Sequence, residues 1–497
     1  MAGDNSKSDG CGSGGGAFNL TMLMDFYEFT MANGYFEQGF ADRIAYFDMF
    51  FRRVPDDGGY AIMAGVEQLI EYLNALRFND EDIAFLKGKA VFSEGFLDYL
   101  KHFRFACDVW AVPEGMPIFP NEPIIKVRGP IIQAQLIETM MLLTINHQCL
   151  IATKANRICR AAAGRPVSEF GSRRAQGGHG ALMGARAAYI GGCASTACTM
   201  AERDFGIPAT GTMAHSWVQT FDTELEAFEV YARLYPDRCV FLVDTYNVIR
   251  SGVPNAIKVM RERLVPNGRR PVAIRIDSGD ITYLSKIARQ MLDDAGFSDC
   301  KILVSNSLDE YIIRDIISQG ARIDMFGVGE KLITSRSEPV FGGVYKLAGI
   351  EGKDGRVIPK LKVSENAEKI TSPGNKQVVR LYANKTGKAI ADVITLDGES
   401  VDEGAPYLIF DPENTWKRKL ITDFNAKPLL TPIFRGGECV YESPPLGVIR
   451  GFCAEQVDRL WEEVLRFENP QKYFVDLSQA LWDLKYGMLH ELSGAQK

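Results

Sequence analysis

The amino-acid sequence predicts an α/β protein whose centre is an irregular, TIM-like α/β barrel. Between residues 165 and 347, short apolar runs alternate with stretches of helical periodicity, an order typical of parallel strands joined by helices. About six or seven such units follow one another, and their connections are too short for two separate sheets. Most of the apolar runs end in polar or charged residues, which in a barrel gather at the C-terminal ends of the strands.

The segment before the barrel, residues 17–135, combines a helix with short strands. Apolar residues at helical spacing predict a helix over 20–40, and the run of Pro, Gly and β-forming residues over 105–130 predicts antiparallel strands with turns. A long apolar helix over about 131–162 follows and leads into the barrel region, which we assign to residues 136–350.

The segment after the barrel, residues 351–497, has a different composition. Its residues 376–450 are β-rich, and helices are expected over 454–467 and 477–492. We expect this segment to pack on the N-terminal one as a single discontinuous domain. Residues 1–16 are rich in Gly and Ser, which predicts a flexible tail.

Composition excludes several classes of function. The 497 residues carry a net charge of −7, which argues against a general nucleic-acid binder. The sequence has no uninterrupted apolar stretch of the ~18 residues that a membrane span needs. Ten cysteines without a Cys-x-x-Cys or zinc-type spacing indicate free thiols in a reducing compartment, so we expect a cytoplasmic protein.

The polar residues that end the predicted strands form a converging set, and this set suggests a site for a phosphorylated small substrate. An anion site of this kind needs arginines, carboxylates and open backbone N–H groups, and all three are present. The set comprises Glu169, Arg173, Thr212, His215, Asp244, Asn247, Arg275, Asp277, Asp280, Ser305, Asn306, Gly327 and Gly329.

Two of these strand ends allow more than one interpretation. In "RIDSGD", Arg275 suits a carboxylate or phosphate, and Asp277 and Asp280 suit a metal or ribose hydroxyls, but an Arg–Asp ion pair closing the strand is an equally good reading. In "FGVGEKLITS", Gly327 and Gly329 lie at a strand-to-helix turn, which is either a phosphate-binding loop or an ordinary tight turn.

Basic residues occur in two further motifs. In "EFGSRRAQGGHGA", one of the adjacent Arg173 and Arg174 is expected to serve the site, whereas His179 between glycines is expected in a surface turn. In "KITSPGNK", Lys369 and Lys376 flank a Pro-Gly turn, which is either a solvated basic loop or a part of the anion site.

His215 is one of only five histidines and lies among small residues in "ATGTMAHSWV". Taken alone, this pattern is more typical of a hydrogen-bonded histidine in the core. Beside Arg173, Arg275, the carboxylates and the Gly turn, it indicates a histidine at the mouth of the barrel. The small neighbours then leave room for a phosphate to approach the imidazole.

Seven motifs together resemble the nicotinate phosphoribosyltransferases, and the resemblance runs from about residue 20 to beyond 450. Their order and spacing fit this family of type II phosphoribosyltransferases. The motifs are "DFYEFTMANGYF" at 25–36, "EFGSRRAQ" at 169–176, "TGTMAHSWV" at 210–218, "RIDSGD" at 275–280, "VSNSLDE" at 304–310, "GVGEKLITS" at 327–335 and "KITSPGNKQVVR" at 369–380.

The resemblance implies an α/β sandwich domain formed by the N- and C-terminal segments, the irregular barrel, and a homodimer. It implies that nicotinate and 5-phosphoribosyl-1-diphosphate react to nicotinate mononucleotide and diphosphate, a step of NAD biosynthesis. ATP hydrolysis is coupled to this reaction in the family through phosphorylation of the histidine matched by His215, and Mg²⁺ accompanies the diphosphate and ATP.

The resemblance also implies roles for single residues. His215 is the phosphorylated residue, and Asp277 is placed beside it as a second catalytic residue or as a contact to ribose. The substrate-binding set consists of Tyr27 on the pyridine ring from the partner subunit, Thr212 near nicotinate, Arg173 on phosphate or diphosphate, Arg275 on the nicotinate carboxylate, Ser305 and Asn306 near ribose, and Gly327, Gly329 and Thr334 on the 5-phosphate. Glu330 departs from the small residue expected after "GVG", and no metal ligand is assigned.

Two alternatives remain at the level of the sequence. The first is an enzyme of the same fold that uses nicotinamide, which Arg275 argues against because its guanidinium matches a carboxylate better than an amide. The second is a non-catalytic protein of this fold, which the intact set of motif residues argues against.

Overall fold

The computed structural model describes residues 19–366 and 369–494, so the predicted tail over 1–16 lies outside the described residues. The fold is mixed α/β, as the sequence predicts. Its helices are α1 Phe26–Glu37, α2 Val66–Ala75, α3 Asp80–Gly88, α4 Glu94–Lys101, α5 Ile131–Leu136, α6 Glu138–Ala161, α7 Gly177–Ile190, α8 Thr199–Phe205, α9 His215–Thr220, α10 Glu224–Leu234, α11 Val253–Val259, α12 Ile281–Asp294, α13 Glu310–Ser318, α14 Glu330–Ile333, α15 Leu446–Asp458 and α16 Gln479–Gly494.

The strands fall into three larger sheets and two short two-stranded pairs. In chain order they are β1 Ile44–Phe51, β2 Ala61–Ile62, β3 Asp108–Ala111, β4 Pro117–Ile118, β5 Ile125–Pro130, β6 Val167–Glu169, β7 Ser195–Thr196, β8 Val240–Leu242, β9 Ala273–Ile276, β10 Lys301–Val304, β11 Met325–Val328, β12 Gly343–Glu351, β13 Val357–Pro359, β14 Lys376–Ala383, β15 Ala389–Leu396, β16 Tyr407–Phe410, β17 Arg418–Ile421, β18 Phe424–Pro428, β19 Thr431–Arg435, β20 Glu438–Cys439 and β21 Val475–Leu477.

The largest sheet mixes strands from both ends of the chain. Its order is β13-β12-β1-β5-β3-β19-β20, and all its pairs are antiparallel. Strand β1 pairs with β12 in the register Asp48–Lys346 and with β5 in the register Asp48–Lys126. The N-terminal segment is therefore joined by backbone hydrogen bonds to strands that lie some 300 residues later in the chain.

The second sheet carries the strand ends singled out in the sequence. Its six strands are parallel in the order β7-β6-β11-β10-β9-β8. Parallel strands have their C-terminal ends at one edge, so the polar residues that follow them meet there. Within the described residues, no strand ladder joins β7 to β8, so this sheet is open and a closed barrel is not observed.

The remaining sheets lie in the C-terminal segment, except for the short pair β2 and β4. A four-stranded sheet has the order β18-β14-β15-β21, and β16 pairs with β17 as a two-stranded ribbon. Val379 and Leu381 of β14 and Ala391 and Val393 of β15 are buried in a separate apolar cluster with Phe424 and Ile421. This burial explains why residues 376–450 form strands.

The predicted long helix over 131–162 is wrong in one respect, because the structure divides it at Ile137, where φ is −99° and ψ is 0°. At this break, the carbonyl that would accept the next hydrogen bond of the helix is bound by a side chain. The hydroxyl of Tyr345 donates to the carbonyl of Ala134 at 2.9 Å, and this carbonyl would accept the N–H of Glu138 in a continuous helix. Helix α6 itself is buried along most of its length and packs against α7, α13 and the strands β2 and β12.

The predicted helix over 454–467 is also displaced, since α15 spans Leu446–Asp458. Pro445 precedes its first residue, and proline suits the start of a helix because its φ is already helical. The end is fixed by Lys388, whose ammonium donates to the carbonyls of Asp458 and Leu460 at 2.7 and 2.8 Å. The contact comes from 70 residues away, so local periodicity gives no sign of it.

The structure shows where Lys376, Lys369 and His179 of the two basic motifs lie. Lys376 is buried and forms an ion pair with Asp48 at 2.7 Å, so this end of "KITSPGNK" is not a solvated loop, whereas Lys369 is exposed. His179 is exposed as expected, but it lies in helix α7 and not in a turn. No helix in the described part of the chain is long and apolar enough to cross a membrane.

Candidate active site at the C-terminal edge of the parallel sheet

Arg275 is at the centre of the polar cluster. It lies in β9, and its guanidinium donates through Nε to Ser305 Oγ at 3.0 Å, through Nη1 to Thr212 Oγ1 at 2.9 Å and through Nη2 to Asp277 Oδ1 at 3.0 Å. The ring of Phe170 lies 5.6 Å from the guanidinium carbon. These contacts fix the plane of the guanidinium, and 16% of the side chain stays exposed for a ligand.

Asp277 and Asp244 form a pair of carboxylates beside Arg275. Asp277 accepts from Arg275 and from Ser305, and its backbone N–H donates to Asp244 Oδ2 at 3.1 Å. Asp244 follows β8 and also accepts from Ser278 Oγ at 2.5 Å. Its side chain is 1% exposed, and its Oδ1 has no hydrogen-bond partner in the described chain. A buried carboxylate oxygen without a donor is costly, which suggests that a ligand or ion completes it.

His215 is the first residue of α9 and faces both carboxylates. Its Nδ1 lies 3.2 Å from Thr245 Oγ1, and its Nε2 lies 3.7 Å from Asp277 Oδ2 and 3.9 Å from Asp244 Oδ1. The side chain is 40% exposed, so it is not a core histidine. The structure thus brings together Arg275, Asp277, Thr212, Ser305 and His215, as the sequence predicts. These five residues are called the Arg275 cluster below.

The neighbouring turn after β10 carries Asn306 in a left-handed conformation, with φ at 97°. Ser307 also has a positive φ, of 50°. Positive φ is uncommon in residues other than glycine and costs about 1–3 kcal/mol where it persists. The strained turn exposes Asn306 beside the buried Ser305 at the same edge of the sheet.

Gly327 in β11 and Gly171 after β6 allow close packing at this edge. A Cβ on Gly327 would lie 2.6 Å from the Phe170 ring, and one on Gly171 would lie 2.6 Å from Ile333. Gly329 precedes α14, whose first N–H groups have no acceptor within the helix and can bind an anion. Gly327 and Gly171 are therefore required for packing, while the turn at Gly329 leaves backbone donors open at the edge.

Two side chains at this turn already have partners. Thr334 Oγ1 donates to the carbonyl of Glu330 at 2.7 Å, so its hydroxyl oxygen is left as an acceptor. The Glu330 carboxylate pairs with Arg336 at 2.8 Å and with Arg174 at 3.6 Å. The negative charge of Glu330, where the family pattern has a small residue, is thus neutralised by two arginines. One of them is Arg174, which therefore has a partner within the chain.

Arg173 differs from its neighbour. It lies in the short turn after β6, is exposed, and forms no ion pair with any described residue. Of the two adjacent arginines, Arg173 is therefore the one available to an anionic ligand, in agreement with the role expected from the motif. Glu169, just before it, is buried and accepts from Thr196 Oγ1 at 2.7 Å, while burial raises the pKa of its carboxyl.

Tyr27 lies apart from the cluster. It is on α1, 44% exposed, and its ring is beside Glu138 at the start of α6. Burial of the hydroxyl and the nearby Glu138 carboxylate both raise the pKa of Tyr27. Within the described chain it has no contact with the residues around Arg275.

Some members of the predicted polar set have local roles. Asp280 caps α12 by accepting from the N–H of Tyr283 at 2.9 Å, and Asn247 accepts from the N–H groups of Ile249 and Arg250. Conversely, sequence reasoning missed Thr245 and Phe170, which contact His215 and Arg275. Thr245 follows Asp244 directly at the end of β8, and this position is the signal that could have found it.

Comparison with known proteins agrees with this geometry. Residues 22–146 match the model of the nicotinate phosphoribosyltransferase N-terminal domain, and residues 375–485 match that of the C-terminal domain. The nicotinate phosphoribosyltransferase of Bacillus subtilis (strain 168) is 43% identical over 474 residues, which cover 95% of this chain and 96% of that protein. The one of Homo sapiens is 31% identical and covers 93% and 95%.

Solved structures extend the likeness to three dimensions. The crystal structure of human nicotinic acid phosphoribosyltransferase superimposes with a TM-score of 0.81 at 28% identity, covering 94% of this chain and 100% of that one. The sequence motifs, the cluster around Arg275 and the relatives over nearly the whole length all agree. This chain therefore belongs to the nicotinate phosphoribosyltransferase family.

Proposed function

We propose that this protein joins nicotinate to 5-phosphoribosyl-1-diphosphate, giving nicotinate mononucleotide and diphosphate on the route from nicotinate to NAD. The observation that carries the proposal is Arg275, a guanidinium held in one plane by three neighbours beside His215 and Asp277. A planar carboxylate such as that of nicotinate matches the free edge of this guanidinium. The activity named for the full-length relatives supports the same reaction.

The other assigned residues surround the place where the sugar phosphate would lie. We assign Gly327 and Gly329 to the 5-phosphate, because the start of α14 leaves backbone N–H groups open. Thr334 is assigned to the same phosphate, and its hydroxyl would turn from the carbonyl of Glu330 to donate to it. Arg173 is assigned to phosphate or diphosphate, since it is exposed and unpaired within the described chain. Thr212 is assigned to nicotinate, and Ser305 and Asn306 to the neighbourhood of the ribose.

The reaction needs positioning and charge stabilisation more than acid–base catalysis. Attack at ribose C1 passes through an oxocarbenium-like state while negative charge grows on the departing diphosphate. The C1–N bond to the pyridine nitrogen forms as the C1–O bond to diphosphate breaks, and the pyridine nitrogen needs no base. Arg275, held by its three neighbours, would position nicotinate for the attack, and Arg173 would stabilise the charge on the departing diphosphate.

We further propose that His215 is phosphorylated by ATP. In the tautomer in which Nδ1–H donates to Thr245 Oγ1, 3.2 Å away, Nε2 carries the free electron pair. Nε2 would form a bond to the γ-phosphorus of ATP while the bond from that phosphorus to the β-γ bridging oxygen breaks, releasing ADP. Water later takes the phosphoryl group to give phosphate. The carboxylates of Asp244 and Asp277, 3.9 and 3.7 Å from Nε2, would stabilise the positive charge that the ring gains as this bond forms.

Replacement of His215 by Ala tests this step. We expect the variant to lose ATP hydrolysis and acid-labile phosphorylation but to keep slow synthesis of nicotinate mononucleotide without ATP. ATP hydrolysis that persists in the variant would contradict the phosphorylation of His215. A wild-type protein that forms no nicotinate mononucleotide from nicotinate would contradict the proposed reaction itself.

Mg²⁺ fits the carboxylates at this edge. The buried Oδ1 of Asp244 has no partner in the described chain, and carboxylate oxygens are the ligands that Mg²⁺ prefers. No cluster of three or more metal-type side chains occurs among residues 19–366 and 369–494, so Asp244 and Asp277 would hold the ion together with substrate phosphates. Bound there, the ion would neutralise the charge of the diphosphate and of ATP.

A homodimer would complete the site with Tyr27. Helix α1 exposes Phe26 and Met31 near Tyr27, and Leu23 before this helix and Leu143 of α6 are also exposed. Such a cluster of exposed apolar residues is typical of an interface between protein chains. Since Tyr27 has no contact with the Arg275 cluster of its own described chain, we assign it to the pyridine ring in the partner subunit's site.

Mixed dimers test the assignment of Tyr27. A dimer with one Tyr27→Ala chain and one His215→Ala chain has one site with both defects and one site without either, if Tyr27 acts on the partner. We expect such dimers to regain about half the wild-type activity per dimer. If Tyr27 acts within its own chain, both sites stay defective and no activity returns.

We propose that the open six-stranded sheet forms an irregular barrel, because its two outer edges approach each other. A parallel bridge between Thr196 and Ala209 extends the β7 edge, and His215 shortly after it reaches Thr245 beyond β8 at 3.2 Å. The two edges thus approach each other at the site, as they would in a barrel closed by side chains.

We also place the protein in the cytoplasm, because the nine described cysteines form no disulfide.

A further inference from the structure

A large cavity lies between the seven-stranded sheet and the C-terminal segment. Its volume is about 1580 Å³. Asp48 and Phe50 of β1 form its floor, Tyr473 and the strand β21 form one wall, and α16 forms another. No residue of the Arg275 cluster lines this cavity, so it is separate from the active site within the described chain.

The charge of the cavity is opposite to that of the protein. Nine basic and five acidic residues line it, although the whole chain has a net charge of −7. Lys417 and Lys419 lie at its rim in the β16–β17 ribbon and form no ion pair with described residues. A concave surface with an excess of positive charge concentrates anions.

Lys485 gives the cavity a partly buried positive charge. Its side chain is half-buried on α16 and faces the cavity, and its ammonium has neither a hydrogen bond nor an ion pair in the described chain. Burial lowers the pKa of Lys485, and Glu413 opposes this effect only in part. A desolvated ammonium without an acceptor is stabilised by a bound anionic oxygen.

Asp476 adds a requirement that a simple phosphate does not meet. It lies in β21, is 3% exposed, lines the cavity, and its Oδ2 has no hydrogen-bond partner in the described chain. In the ionised form of Asp476, which prevails above about pH 7, this oxygen needs a hydroxyl or N–H donor such as a ribose hydroxyl. Inorganic polyphosphate at neutral pH offers almost none, whereas a nucleoside offers several.

The remaining walls provide an apolar surface. Tyr473 stacks on Phe119 with ring centroids 3.8 Å apart, and Ile409 and Leu489 also line the cavity. The volume far exceeds that of a phosphate ion and is sufficient for a heterocyclic base, a ribose and phosphates together.

We propose that this cavity is a second nucleotide site, which binds a nucleoside di- or triphosphate with its phosphates toward Lys485 and the basic rim and its ribose toward Asp476. The site does not depend on the reaction proposed above, because it shares no residue with the Arg275 cluster.

Hydrogen–deuterium exchange with ATP as the probe separates the two sites. We expect ATP to protect residues 407–421 and 469–489 around the cavity, both in the wild type and in His215→Ala. Binding at these segments should weaken about tenfold or more in Lys485→Met, since a charged hydrogen bond is lost. Lys385→Met, an exposed lysine away from the cavity, should bind as the wild type does.

Two comparisons complete the test. Lys419→Met at the exposed rim should weaken binding without any risk to the fold, and inorganic triphosphate should bind at least about tenfold more weakly than ATP because it leaves Asp476 unpaired. Protection limited to residues 209–220 would overturn the second site while leaving the proposed ATP step intact. Equal binding of triphosphate and ATP would overturn the assignment of a nucleotide.

Discussion

Replacing Arg275 by Lys tests the assignment of this residue to the nicotinate carboxylate. The guanidinium has five N–H donors, and Ser305, Thr212 and Asp277 take one each through Nε, Nη1 and Nη2. One N–H on each terminal nitrogen is left for a carboxylate, which can accept both at once. A lysine keeps the positive charge but cannot offer two parallel donors in a fixed plane.

The expected loss follows from these contacts. A hydrogen bond between charged groups contributes about 1.5–3 kcal/mol, and the lysine retains one of the two bonds to the carboxylate. At about 1.4 kcal/mol for each factor of ten, kcat/KM for nicotinate should fall about 10- to 160-fold. Nicotinamide has no carboxylate to lose, so its much lower turnover should change less and the preference for nicotinate should shrink.

The assay compares kcat/KM for nicotinate and for nicotinamide in the wild type and the variant. Arg270→Lys is the matched control, because Arg270 lies just before the same strand and pairs with Asp299 on the surface. The control should stay within about twofold of the wild type with either substrate. A ratio of the two kcat/KM values that is unchanged in Arg275→Lys would refute the assignment.

Three further predictions follow from the structure. Thr245→Val removes the hydroxyl 3.2 Å from Nδ1 of His215 and should lower phosphohistidine formation about fivefold, by about 1 kcal/mol; an unchanged level in a phosphorylation assay would argue against this contact. Arg186→Met removes a fully buried partner of two glutamates and should lower the free energy of unfolding by about 3–5 kcal/mol in guanidinium titrations. Arg263→Met, in an exposed ion pair, should lower it by less than about 1 kcal/mol, and similar losses in the two variants would contradict the reasoning. Burial raises the pKa of Asp476 to about 7, so between about pH 4 and pH 7 the folded protein keeps a proton that the unfolded chain has released, and stability falls as the pH rises through this window. Asp476→Asn should therefore gain stability over the wild type from pH 5 to pH 8 in urea titrations, and a difference that does not depend on pH would exclude this titration.

The sequence is sufficient to predict the chemistry of the cluster because parallel strands obey a simple rule. Each strand of the central sheet ends in polar residues, and all these ends lie at one edge. Arg275 and Asp277, two positions apart at the end of one strand, therefore meet Ser305 from the next strand. The same rule places Thr212 and His215 there, although they come from a segment more than 50 residues earlier than Arg275.

The sequence by itself thus determined the mixed α/β class, the order of the elements and most of the residues that surround Arg275. Only the tertiary structure decided which arginine of the adjacent pair is free, because Glu330 takes Arg174 and leaves Arg173 exposed. It also decided that Lys376 is buried against Asp48 and that the cavity beside Lys485 is basic. These features depend on contacts between residues that are about 100 to more than 300 positions apart, and local periodicity and composition contain no information about such distant neighbours.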